Sequence, residues 1–149
     1  MKHFLDIYCK PYVAHYLKHK FQEANKGYIN LPASNLKQQI HSCLGTKFYP
    51  SEQFKKKGYA AVIRIRLTGH EMTKFGHTIN ICNHYYLNSL IEQHIKSELA
   101  VLISLWRIEG LTWSKAIRRY QDKYGYTDEV FDYKAIERSY ERKLQEAKK

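Results

Sequence analysis

The chain has 149 residues, is 44% hydrophobic and carries a formal charge of +11 at pH 7, from 25 Lys and Arg against 14 Asp and Glu. Such a length and apolar content suit one domain with its own core and exclude wholesale disorder. The charge excess speaks of polyanionic partners, nucleic acid first, rather than of fold.

Taken in chain order, KPYVAHYLKHKFQEANKG predicts a helix. Pro11 fits its first turn, Val13, Leu17 and Phe21 recur every fourth residue, and Gly27 supplies the stop. YINLP is a short strand with Ile29 and Leu31 on one face, and SNLKQQIHSCLG is a helix capped by Ser34 and ended by Gly45. TKFYPSEQFKKKG reads as a polar loop. YAAVIRIRLTG is the clearest strand: Ile63, Ile65 and Leu67 alternate with Val62, Arg64 and Arg66, which places both arginines outward.

HEMTKFGH reads as a turn. A long helix follows over about 83–109, and its segment LAVLISLW, apolar all round, is expected to be buried in the middle of a bundle. Gly110 ends it, Thr112 caps the next helix, and Gly125 ends that one in turn. The last helix starts near Asp132 with Tyr133, Ile136, Tyr140 and Leu144 inside, and the tail QEAKK is expected to fray. The fold class is therefore α+β in a single domain, 1–149. A basic N-terminal lobe, 1–77, with strands near 28–32 and 59–68, packs on a helical bundle, 78–149, whose end resembles a helix-turn-helix.

The charge is not spread evenly. Residues 1–77 hold 13 Lys and Arg against 4 acids, and residues 112–149 hold 10 against 7. Lys55, Lys56 and Lys57 lead into the strand carrying Arg64 and Arg66, and no acid lies between Glu52 and Glu71. A basic loop beside a basic strand face is suited to a phosphate backbone, with Tyr59 as a stacker. The alternative is a solubilising loop and a guarded edge strand. At the C-terminus Arg118 and Arg119 lie on one helix, and Lys134, Arg138 and Arg142 form a stripe at four-residue steps on the next. Such a stripe can follow phosphates or enter a groove. Against this, Glu137 and Glu141 sit three residues from Lys134 and Arg138 and can pair with them, and the connection of about eight residues is long for a DNA-reading turn.

Other chemistries are poorly supplied. His15, His19 and Glu23 share a helix face without a third strong ligand, and His70, His77, Cys82 and His84 match no zinc spacing. Cys9, Cys43 and Cys82 form no C-x-x-C pair, and nothing in their spacing brings a base to a nucleophile. Tyr120 beside Arg118 and Arg119 lacks the further cations that attack on DNA requires. No enzyme, cofactor or metal is expected. MKHFLDIYCKPYV lacks a signal peptide's apolar run, and LAVLISLW is far shorter than the ~20 residues of a membrane span. The first helix has too few apolar residues to build a core and also hold a membrane. A soluble cytoplasmic protein is expected.

KPYV, RLTGHEMTKFG, NHYYLNSLIEQHI, WSKAIRRYQDKYGY and DYKAIERSYERK, in that order, resemble small basic uncharacterised proteins carried by phages and conjugative elements of gut bacteria. The resemblance covers most of the chain, rests on hydrophobic and aromatic positions and brings no catalytic signature. It implies a mobile-element setting with a DNA-related or host-interaction role. The leading expectation is non-enzymatic nucleic-acid binding, to DNA before RNA, through Lys55, Lys56, Lys57, Tyr59, Arg64 and Arg66, with Arg118, Arg119, Lys134, Arg138 and Arg142 as second contact or reader. The competing expectation is an interaction module that docks on an acidic host or phage protein, or dimerises through its helices.

Overall fold

The computed structural model describes residues 3–21, 27–47 and 59–148. It is α+β, with six helices and two two-stranded antiparallel sheets among the described residues. The contacts divide it into two compact units, Met1–Ile91 and Glu92–Lys149.

The first unit is built on a strand pair. β1 (His3–Cys9) runs antiparallel to β3 (Ala61–Leu67), in a register that sets Phe4 opposite Arg66, Asp6 opposite Arg64 and Tyr8 opposite Val62. Period two then sorts the side chains: Leu5, Ile7, Cys9, Ile63, Ile65 and Leu67 are buried on one face. β1 was not among the expected strands, although HFLDIYC alternates as cleanly as β3 does. The strand expected at 28–32 contracts to an isolated parallel bridge. Ile29 N–H donates to the Arg64 carbonyl (2.8 Å) and its own carbonyl accepts from Arg66 N–H (3.0 Å) on the far edge of β3.

The free edge of β1 is closed from the start of a helix, α4 (Ile81–Ile108). Tyr8 N–H donates to His84 Nε2 (3.0 Å), and Asn88 Nδ2 donates to the Tyr8 carbonyl (2.9 Å). Because Nε2 accepts, the His84 ring is neutral with its proton on Nδ1. Burial holds its pKa down to about 4.

α1 (Pro11–Phe21) packs on β3 and buries Val13, Ala14, Tyr16 and Leu17. α2 (Asn35–Cys43) is capped by Ser34, whose Oγ accepts from Lys37 N–H. Where a turn was expected, 69–75 forms a third helix, α3 (Gly69–Phe75), because Thr68 and Glu71 make a reciprocal capping box. Glu71 also meets His41 at 2.8 Å and Lys37 at 3.6 Å, and His41 stacks flat on Phe75. Burial pushes the Glu71 pKa up, but His41, Lys37 and Thr68 together outweigh it and hold the carboxyl below its ordinary value. A two-residue pairing of β2 (Leu44–Gly45) with β4 (Thr78–Ile79) closes this part. Gly76, at φ 101°, lies so close to the Gly45 carbonyl that a Cβ would stand 2.4 Å from its oxygen, so only glycine fits.

The second unit comprises the rest of α4, α5 (Trp113–Tyr124) and α6 (Tyr133–Ala147). α6 is helical through most of the tail expected to fray. Thr112 and Asp132 cap α5 and α6 by accepting from Lys115 and Ala135 N–H. Gly125, at φ 65°, lets Tyr126 N–H close back on the Gln121 carbonyl, so α5 ends there. Ile95, Leu99, Ile103, Ala116, Ile117, Tyr120 and Ile136 are fully buried. Buried Gln121 donates to Asp128 Oδ1 and the Phe131 carbonyl, both at 3.0 Å, and so fixes the α5–α6 connection.

LAVLISLW is not buried all round as expected. Leu99 and Ile103 face the core, while Val101 and Leu105 remain 59% and 50% exposed and Ile108, a turn further, 83%. α5 and α6 bury only one side of α4.

Candidate nucleic-acid interface

In the first unit, Arg64 and Arg66 lie on the outer face of β3, as the alternation predicts, and the register gives each a defined neighbour. Asp6 accepts from Arg64 Nε at 2.9 Å and from Nη2 at 3.3 Å, a two-toothed pair that holds the guanidinium flat and more firmly protonated. The guanidinium carbon also lies 5.5 Å from the centre of the Phe4 ring. Arg64 is thus a clamped, charge-matched plane beside an aromatic ring. Arg66 is half-buried directly across from Phe4. Lys18 on α1, which packs on β3, comes to the edge of this face. With Tyr28, Val62 and Arg64 it borders a groove of about 220 Å³. Tyr59 is half-buried, its ring edge-on to Tyr85 (5.8 Å) and 6.4 Å from His84. Lys55, Lys56 and Lys57 lie outside the described residues.

In the second unit the cations fall into two kinds. Arg118 is engaged: Nη1 donates to Gln121 Oε1 (2.9 Å), approaches Asp128 (3.6 Å), and the guanidinium lies over Tyr133. Arg119 lies over Trp106 at 5.3 Å. Lys134, Arg138 and Arg142 are different. All three are exposed along one side of α6, and among the described residues none forms an ion pair with a carboxylate. Arg138 Nε reaches only the Lys134 carbonyl, at 3.4 Å. Of the two carboxylates that the spacing offers, Glu137 accepts from Trp113 Nε1 at 2.9 Å and holds α6 to α5 instead, while Glu141 is exposed beside Arg142 and, among the described residues, forms no ion pair with the stripe.

The sequence-predicted residues divide between the two units. Arg64 and Arg66 belong to the first unit, Arg118, Arg119, Lys134, Arg138 and Arg142 to the second. Phe4, Asp6 and Tyr28 were missed. The alternation of HFLDIYC would have placed Phe4 and Asp6 on one strand face, but only the register assigns them to Arg66 and Arg64.

His84 is an acceptor inside the sheet edge, and no group of three metal-ligating side chains occurs among the described residues. No described helix is long and apolar enough to cross a membrane. Comparison with protein-family models, curated proteins and solved structures finds no match.

Proposed function

We propose that this chain is a non-enzymatic nucleic-acid-binding protein, taking DNA before RNA, that holds the phosphate backbone through cations left open on its surface. The observation that carries the reading is the α6 stripe. Lys134, Arg138 and Arg142 recur at every fourth residue along one exposed side of α6, a rise of about 6 Å per step, so that the three can follow a phosphate backbone together. Among the described residues none of the three forms an ion pair with a carboxylate, and with a net charge of +11 the chain has a general attraction to polyanions. Arg66 and the Lys55–Lys57 segment would add contacts from the first unit. The mobile-element setting rests on the sequence resemblance alone.

The test is a gel-shift series with unrelated duplexes at low salt. Backbone binding predicts comparable shifts with every duplex, lost as salt is raised. One acidic protein partner and little affinity for any duplex would overturn it.

A second reading, a protein-interaction module, is favoured by the exposed Val101, Leu105 and Ile108 on α4, an apolar strip of the kind that protein contacts use. Sedimentation of the wild type against Leu105→Lys tests its self-association form. A mass that rises with concentration in the wild type and not in the variant would support it, and two concentration-independent monomers would exclude it.

A further inference from the structure

The outer face of β1 and β3 is unusual for a solvent-facing sheet surface in how it combines its residues. Phe4 is 37% exposed there, with Arg66 across from it and the Tyr28 ring 5.2 Å away at 44°. Arg64, locked by Asp6, holds its guanidinium over the same ring, 5.5 Å from the ring centre. A guanidinium whose charge is matched by a carboxylate is a poor phosphate clamp but a good stacking plane. A groove of about 220 Å³, lined by Lys18, Tyr28, Val62 and Arg64 but not by Phe4 itself, adjoins this face and puts a cation next to the aromatic surface.

We infer that this face seats an unpaired base of a single-stranded nucleic acid. The base stacks on Phe4 with Tyr28 and the Arg64 plane at its margins, while Lys18 and Arg66 take the flanking phosphates. Stacking on a side chain needs a bare base face, which a paired and stacked duplex does not offer. Asp6 does not repel the strand, because its charge is spent on Arg64. The inference rests on the nucleic-acid reading above and deepens it: the α6 stripe holds any backbone, whereas this face distinguishes single strands from duplex. The same chemistry is offered by DNA and RNA.

The experiment is fluorescence anisotropy at low salt with labelled oligo(dT), oligo(U), an abasic strand of equal length and a duplex. Wild type, Phe4→Leu and Phe4→Tyr are compared, with circular dichroism melts to confirm that each variant is folded. Phe4→Leu keeps an apolar side chain and removes the flat ring. Tighter binding of oligo(dT) or oligo(U) than of the abasic strand by about tenfold, lost in Phe4→Leu and kept in Phe4→Tyr, is the expected result, and the preferred oligonucleotide identifies the sugar. Equal binding of abasic and base-bearing strands, unchanged in Phe4→Leu, would overturn this inference while leaving backbone binding intact. No binding to any probe would overturn both.

Discussion

Arg64 and Arg138 look alike in the sequence, each a basic residue on the outward side of a regular element, yet they present different chemistry. Arg64 stands on a strand whose partner delivers Asp6 directly opposite, and its guanidinium is clamped at 2.9 Å. Arg138 stands on a helix where a carboxylate lies one residue before it, but Glu137 is turned inward to Trp113. The lesson is that charge counted along a sequence is not the charge a surface presents. Of two arginines, the one with no acid near it in sequence is matched, and the one beside an acid is open.

Four changes would break or sharpen that contrast. The largest effect is expected from Lys134→Glu, Arg138→Glu and Arg142→Glu together. Three lost phosphate contacts should flatten the log–log salt dependence for duplex by about 2.7 and weaken low-salt binding on the order of 100-fold. The melting curve should stay in place, since all three side chains are exposed. Unchanged affinity would return the main role to the first unit.

The second is pH. The His84 pKa is depressed to about 4 from 6.5, so the stability its neutral form contributes is complete above 6.5 and is lost as pH falls toward 4. Allowing for residual solvation, that is about 1–2 kcal/mol. The lowered Glu71 pKa adds a further loss below the ordinary carboxylate range. Tyr124 and Tyr126 act in the opposite sense. Burial raises both above the usual value of 10, with Glu98 adding to the rise, so their contribution is intact below pH 10 and lost above it. Hydrogen exchange resolved by segment should therefore show the first unit loosening in acid and the second in alkali. Loosening of the second unit first as pH falls from 6.5 to 4 would contradict this.

The third is Trp113→Phe, which removes the indole donor and releases Glu137. Urea melts should show a loss of about 1–2 kcal/mol. Duplex binding should weaken several-fold, because the released carboxylate is placed to pair with Lys134 at three-residue spacing. The smallest effect is expected from Asp6→Asn. It unlocks Arg64, and a salt slope steeper by about 0.9 would register one cation made available to phosphate. An unchanged slope would mean that Arg64 stays on Phe4 without its carboxylate.

Much of the fold was legible because it is local. Period two placed Ile63, Ile65 and Leu67 inside and Arg64 and Arg66 outside, and Ser34, Thr112, Gly125 and Asp132 marked helix ends where the caps are found. The missed pieces each have a physical reason. β1 lies 58 residues from its partner with no hairpin turn to announce it, and β-pairing across such a distance leaves no local trace. The signature of α3 was present, Thr68 and Glu71 at capping-box spacing, but flanking Gly69 and Gly76 masked it as a turn. The exposure of Val101 and Leu105 was not readable, because an apolar helix gives no count of the neighbours that will cover it. In the candidate interface, helical spacing disclosed the α6 stripe. Neither the Asp6–Arg64 clamp nor the Glu137–Trp113 bond could be found without the strand register and the α5–α6 packing.

The most direct test of the account is a salt titration of binding to a labelled random-sequence oligonucleotide, single- and double-stranded, by fluorescence anisotropy. The account predicts micromolar binding at low salt that falls steeply and linearly on log–log axes. No binding to either form at low salt, from a chain of charge +11, would contradict it and turn attention to the exposed apolar side of α4.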